Sequence, residues 1–278
     1  MINKSIKGDS MELNQKLEFL KNRLRELESV AIAYSGGVDS NFLLKVASDV
    51  LGDKVIAITV HAMMHSNREI EESKEYAKSY NVRQILVGNN HSYPIEFTRN
   101  NKDRCYHCKT MVFNTIKEVA KENNINFVLD GTHLDDLSDY RPGLRALDEL
   151  NIISPLKESG LTKEEIRNLS KDMNINTFNK PAFACLATRI PYGVEITNNR
   201  LRMIEKSEEY LVEIGFKQFR VRLHDEIARI EVGKDEIHKF FTNDLLNKTN
   251  NKLKELGFNY VTLDMGGYQM GSMNKDVK

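Results

Sequence analysis

A chain of 278 residues with 40 basic and 40 acidic side chains carries no formal net charge. That balance excludes a protein held on nucleic acid by its overall field, and leaves only local basic patches for such a purpose. With 3 cysteines, an odd number, a disulfide framework is not expected and the compartment read from the sequence is a reducing cytoplasm. No apolar run approaches the length of a membrane span, and the opening MINKSIKGDSMELNQK has no apolar core of a signal peptide, so neither a membrane partner nor export is expected.

In chain order, Leu13, Leu17, Leu20, Leu24 and Leu27 recur at spacings of three and four, the mark of an amphipathic helix. A buried strand over Val30–Tyr34 runs into a glycine turn, and a helix bearing Phe42, Leu43, Leu44 and Val46 follows. KVIAITVHA reads as a second strand, and SNREIEESKEYAKSY as a helix with a capping box of Ser66 and Glu69. QILVG is a third strand, CYHCKTMVFNTIKEVAKEN a helix, INFVLDGT a fourth strand and IISPL a fifth. TKEEIRNLSKDM is a helix capped by Thr162 with Glu165. Strands that alternate with helices predict an α/β fold: a five-stranded parallel sheet with helices on both faces.

The pattern changes near NKPAFACLATRIPYG. A helix over Arg200–Ile214, strands FRVRLHD and IARIEVG, a helix from Asp235 and a strand NYVTLDM predict a small α+β domain. The expected division is 1–188 and 189–278.

The glycine turn is the first chemical clue. In VAIAYSGGVDS, Gly36 and Gly37 permit a tight turn with bare backbone N–H groups, Ser35 and Ser40 add hydroxyls, and a helix starts near Asp39. That combination, beyond the carboxyl end of a parallel strand, is a cradle for pyrophosphate. It is neither the lysine-bearing Walker loop nor the G-x-G-x-x-G fingerprint.

The cysteines are the second clue. RCYHCKT places Cys105 and Cys108 three apart at a helix start, and Cys185 follows a proline-bounded loop. These are compatible with a zinc site aided by His107, with a redox dithiol, with unconnected thiols, or with three thiolates on a [4Fe–4S] cluster that leave one iron open to sulfide.

The string SGGVDS resembles the PP-loop of the N-type ATP pyrophosphatases, which cleave ATP between the α and β phosphates and adenylate a substrate oxygen. By that resemblance Ser35, Gly36, Gly37, Val38, Asp39 and Ser40 hold the pyrophosphate, and Asp39 helps to position Mg2+. Longer strings, among them RCYHCKT, LDGTHLDDLSDYRPGLRAL, SPLKESGLTKEEIRNLSK, PAFACLATRIPYG and ARIEVG, are similar to LarE, the ATP-dependent sulfur-inserting family of nickel-pincer cofactor biosynthesis. The similarity extends over nearly the whole chain. It implies pyridinium-3,5-biscarboxylic acid mononucleotide as substrate, ATP and Mg2+ as cofactors, a separate sulfur source and assembly beyond a monomer.

Two branches of that family differ in where sulfur originates: a sacrificial cysteine at the position of Cys185, or a [4Fe–4S] cluster on three cysteines. The presence of Cys105 and Cys108 beside Cys185 places this chain in the cluster branch. Other readings are a tRNA-thiolating enzyme, disfavoured by the neutral charge, and a nucleotide-binding module with structural zinc.

Further candidates have ordinary alternatives. Asp135, Asp136 and Asp139 are read either as Mg2+ ligands or as loop caps. Gly131 and Thr132 permit close approach to nucleotide, and Arg141 and Arg145 suit a phosphate clamp. Arg189 is a candidate for the substrate phosphate or carboxylate. Arg220 and Arg222 share a strand face with His224, and with Arg229 on the next strand they form either a cationic substrate face or a solvated sheet surface, with Glu231 as a pairing partner. Lys109 is read as cluster or nucleotide support, or as a helix-surface lysine.

Overall fold

The structure is a computed structural model that describes residues 5–61, 64, 67–88, 93–138, 142–180 and 185–269. Its elements are helix α1 (Ser5–Leu27), strand β1 (Val30–Ala33), α2 (Val38–Leu51), β2 (Val55–His61), α3 (Asn67–Ser79), β3 (Arg83–Gly88), α4 (Ile95–Thr98), α5 (Arg104–Glu122) and β4 (Phe127–Leu129). They continue as α6 (Gly143–Glu149), α7 (Pro155–Glu158), α8 (Lys163–Asp172), α9 (Asn198–Glu213), β5 (Phe219–His224), β6 (Ile227–Val232), α10 (Leu245–Glu255) and β7 (Tyr260–Leu263). The chain divides into two compact units. One is built from Met1–Ala62, Asn67–Ser92 and Cys105–Phe183, the other from Met63–Ser66, Tyr93–Arg104 and Ala184–Lys278.

In the first unit the sheet order is β3-β2-β1-β4, and every pairing is parallel. Alternation of side chains along each strand sorts the apolar residues to two faces. Val30 and Ile32 of β1, with Val55 and Ala57 of β2, pack against Leu20, Leu24, Phe42, Leu43 and Ile166 from α1, α2 and α8. Ala31, Ile56, Ile58 and Val60 point the other way, against Phe113, Ile116 and Leu147 of α5 and α6. Helices therefore cover both faces, as the alternating pattern predicts.

The expected fifth strand is reduced to a single parallel bridge between Leu129 and Ile153. Pro155 sits at the first position of α7, with a fixed φ suited to a helix start and no N–H for a ladder, so the chain turns away after one residue. The α8 capping box is present in full, with Thr162 accepting from the Glu165 N–H and Glu165 accepting from the Thr162 N–H. Ser66, the expected cap of α3, lies outside the described residues.

In the second unit β5 and β6 form an antiparallel hairpin turned by Asp225 at φ 52°, and β7 adds to β6 in parallel. Leu201, Ile204 and Leu211 of α9, with Val221 and Leu223 of β5, belong to the buried core. The helix expected from Asp235 is instead a 3-10 turn over Ile237–Phe241, and α10 begins only at Leu245. Asn243 and Asp244 are both left-handed, at φ 52° and 58°, a conformation that no right-handed helix can pass through. The segment Tyr93–Arg104 enters this unit from mid-chain. Buried Asn100 donates to the carbonyls of Pro191 and Val194 at 2.7 and 2.8 Å, and the Arg104 guanidinium lies 4.5 Å from the Tyr192 ring centre. Among the described residues no helix is long and apolar enough to cross a membrane.

Candidate active site

In the order β3-β2-β1-β4, the chain builds outward from β1 in one direction and then returns to β1's other side with β4. The crevice beyond the carboxyl ends of β1 and β4 is thus a topological switch point, where open α/β sheets bind ligands. β1 leads there into Tyr34, whose N–H donates to Ile58 and whose carbonyl accepts from the Thr59 hydroxyl. Gly36 then turns at φ +70°, and a Cβ there would lie 2.8 Å from the Cβ of Ser73 on α3. Glycine is required at this position on both counts.

Gly37 is the N-cap residue of α2 and supplies no side chain to cap it. The uncovered N–H groups of the first turn, with the positive end of the helix dipole, are suited to an anion. Around them lie two hydroxyls, Ser35 Oγ and Ser40 Oγ, 3.1 Å apart, and the Gly37 N–H points to Ser35 Oγ at 3.4 Å. Val38 is buried in the core and anchors the turn. Asp39, in the first turn of α2, accepts from Lys163 Nζ on both carboxylate oxygens at 2.6 Å. A divalent cation taking this carboxylate competes with the lysine for it.

β4 brings the second wall. A Cβ on Gly131 would come within 3.1 Å of the Ser40 nitrogen, so the two loops run backbone against backbone. Asp130, buried, accepts from the hydroxyls of Thr132 and Ser154, which fixes the loop on its inner side. Asp136 accepts from the His133 N–H at 3.1 Å and lies 3.4 Å from His133 Nε2, and Asp135 accepts from the Lys163 N–H at the start of α8. Asp136 thus receives a backbone N–H of its own loop and Asp135 one from the start of α8. Arg141 and Asp139 lie outside the described residues.

Cys105 is exposed and Cys108 half-buried in the first turn of α5; at spacing i, i+3 they share a helix face. Gly143 of α6 packs close to this turn, where an added Cβ would meet the Lys109 side chain at 2.8 Å. Lys109 Nζ also lies 6.0 Å from the Phe113 ring centre. Arg145 is stacked 3.8 Å over the Tyr106 ring and lies 3.4 Å from Glu149, with its side chain largely exposed.

In the second unit Cys185 is exposed and opens a 3-10 turn, Leu186–Arg189. None of the cysteines is in a disulfide, and among the described residues no three His, Cys, Asp or Glu side chains are gathered as a metal-binding group. The donor chemistry still fits an iron–sulfur cluster, because all three are thiols and two of them are exposed.

The sequence expectation for Arg189 needs correction. Its guanidinium is 1 % exposed and donates from Nε and Nη2 to both oxygens of Glu208, and from Nη1 to the Cys185 carbonyl at 3.3 Å. A fork so occupied fixes the turn that carries Cys185 rather than presenting a cation to substrate. Arg222 donates to Glu231 at 2.5 Å and to the Thr188 carbonyl, and Arg229 shares Glu231 and lies 3.6 Å from Asp264. Arg222 and Arg229 are cross-strand partners, a repulsive pairing that Glu231 between them offsets. Arg220 is buried beside the Tyr268 ring and donates to the Phe219 carbonyl. Burial, then neighbouring Arg189, lowers its pKa, and burial with Arg229 and Arg222 lowers that of His224, which is therefore neutral at pH 7. Three buried polar atoms here, His224 Nε2, Arg229 Nε and Glu231 Oε2, have no hydrogen-bond partner. Unsatisfied buried groups carry a desolvation cost, and these three share one sheet face.

Sequence reasoning missed Lys163 and Lys180. Lys180 donates to the Gly36 carbonyl at 3.1 Å and pairs with Glu72 at 2.7 Å. Their one signal in the sequence was negative: the glycine turn lacks the lysine that a Walker loop carries within itself.

A parallel sheet whose first strand breaks into an uncapped, hydroxyl-lined glycine turn at its switch point defines a nucleotide-binding protein of the PP-loop class. Comparison with known proteins agrees, as residues 10–140 match the PP-loop domain family. The chain is 39 % identical to an uncharacterized protein of Synechocystis sp., covering 95 % of this chain and 98 % of that one. It is 36 % identical to the pyridinium-3,5-bisthiocarboxylic acid mononucleotide synthase of Lactiplantibacillus plantarum, covering 90 % and 91 %. An uncharacterized protein of Methanocaldococcus jannaschii is 32 % identical, covering 92 % and 98 %. The chain belongs to the LarE family of ATP-dependent sulfurtransferases.

Proposed function

We propose that this chain converts a carboxylate of pyridinium-3,5-biscarboxylic acid mononucleotide into a thiocarboxylate, with ATP as activator, in nickel-pincer nucleotide biosynthesis. One observation carries the reading. The cradle at the end of β1 occurs in a chain matching, over 90 % of its length, a synthase named for the bisthiocarboxylic product.

A carboxylate oxygen attacks the α-phosphorus of ATP, the bond to the bridging oxygen breaks, and pyrophosphate leaves. A sulfur nucleophile then attacks the acyl carbon of the adenylate, and AMP leaves with the former carboxylate oxygen. Ser35, Gly36, Gly37, Val38, Asp39 and Ser40 bind the departing pyrophosphate through the α2 N-terminus and the two hydroxyls. Gly131, Thr132, Asp136 and Arg141 flank the nucleotide. Asp39, once released by Lys163, is the hard oxygen donor for Mg2+, which when bound neutralises phosphate charge.

Arg145, Arg220, Arg222 and Arg229 supply positive charge that attracts the substrate's phosphate and carboxylates, Arg222 while it stays paired with Glu231, and Arg189 holds the Cys185 turn in place. Cys105, Cys108 and Cys185 would hold a [4Fe–4S] cluster, which when bound supplies sulfide at an iron the protein leaves unligated. The chain acts on a small molecule, without nucleic acid, and assembles beyond a monomer.

The test is anaerobic incubation of reconstituted chain with ATP, Mg2+, the dicarboxylate nucleotide and sulfide. Thiocarboxylate and one pyrophosphate per activated carboxyl are expected over repeated turnovers. A single turnover that leaves dehydroalanine at position 185 identifies the cysteine as sacrificial and removes the cluster from the reading. No pyrophosphate from intact protein overturns the reading altogether.

A further inference from the structure

We propose that Lys180 and Asn41 are positioning residues of the nucleotide cradle: by holding the Gly36 carbonyl they aim the Gly37 N–H at the phosphate. The inference rests on the reading of this turn as the seat of ATP, and it assigns work to two side chains outside the SGGVDS string's own loop.

The Gly36 carbonyl accepts from Asn41 Nδ2 and from Lys180 Nζ, both at 3.1 Å. In a planar trans peptide the next N–H points opposite to the carbonyl. Pinning the oxygen on one side therefore presents the Gly37 N–H on the other, which is the side of Ser35 Oγ and Ser40 Oγ. The pin is needed because Gly36, at φ +70°, has no side chain to resist rotation of that peptide.

Each donor is itself fixed. Asn41 is fully buried, and its Oδ1 accepts from the Tyr34 hydroxyl, which leaves Nδ2 as the atom facing Gly36. Burial pushes the Tyr34 pKa well up, so the hydroxyl remains a donor throughout the working pH range. Lys180 is held by Glu72 at 2.7 Å and lies 5.6 Å from the Tyr76 ring centre, both on α3. Burial alone raises the Glu72 pKa, but Lys180 and then Arg68 bring it below the usual value, so the carboxylate stays charged. Arg167 donates to the Phe178 and Lys180 carbonyls, which anchors the lysine's backbone. The Gly36 residue also abuts Ser73 of α3. One carbonyl of the cradle is thus tied to Tyr34 just after β1, to α2, to α3 and to the segment after α8.

The experiment measures binding of pyrophosphate, and of ATP with Mg2+, to the full chain by titration calorimetry. Lys180→Met removes the donor, Lys180→Gln keeps a neutral donor, and Lys180→Arg keeps donor and charge. Loss of one oriented hydrogen bond is expected to weaken binding about tenfold in the Met variant. The Gln variant keeps a neutral donor one bond shorter and should bind more tightly than the Met variant. Unchanged binding in the Met variant overturns the inference, as does recovery by Arg alone, which would make Lys180 a direct phosphate contact. Wild-type chain that binds neither ligand sinks the ATP reading itself, a separate failure. A second measurement needs no variant. Added pyrophosphate must shift the Gly37 amide resonance, and a resonance that stays in place overturns the proposal.

Discussion

Two ion pairs of similar appearance divide at the level of single residues. Arg189 and Glu208 are buried on both sides, and Glu208 also accepts from the Val221 N–H. Removing one partner leaves a desolvated charge, so Arg189→Ala is expected to cost about 3–5 kcal/mol in urea unfolding. Lys163 and Asp39 are instead 29 % and 24 % exposed at the mouth of the cradle. Solvent screening limits such a pair, and Lys163→Ala should change the same unfolding curve by less than about 1 kcal/mol. Arg189 is an arginine after a cysteine loop in sequence, which suggests substrate contact. Its partner on α9 could not be read from that local string, because only folding brings positions 189 and 208 together.

Elements were most legible where their signals are local. The Thr162–Glu165 box sets the start of α8, and Glu165 adds a 2.8 Å ion pair to Lys16 of α1. Thr162→Ala should cost about 1 kcal/mol, measured by denaturation at neutral pH. Burial raises the Glu165 pKa, but Lys16 and the Thr162 N–H together bring it below the ordinary range. A depressed folded pKa means that the unfolded chain takes up the proton first as pH falls. The stabilisation is present above about pH 4.3 and lost as pH drops through the folded value, and Glu165→Gln should flatten that acid limb. Less legible were elements decided by a competing neighbour. IISPL has a strand's composition, yet Pro155 turns it into α7 after one bridge. The run from Asp235 has a helix's composition, yet two successive left-handed residues divide it.

At the scale of the whole molecule, the glycine turn announced its class because its two glycines, two hydroxyls and carboxylate lie within one short string. The arginines of β5 and β6 could be assigned a shared face from period two alone, but not the carboxylates that pair with Arg222 and Arg229. The balance of 40 basic and 40 acidic side chains carries its own expectation. Transfer RNA should show no gel shift at physiological salt, and any retention at low salt should vanish steeply as salt rises. A shift that persists would restore RNA thiolation as a reading.

The re-entrant stretch Tyr93–Arg104 has a consequence for synthesis. Asn100 leaves the ribosome long before Pro191 and Val194, whose carbonyls it serves. At about 5–20 residues per second the wait lasts several seconds or more. Throughout it, a strongly polar amide destined for a dry interior remains in water, so this part of the second unit must stay open until the chain beyond Val194 has been made.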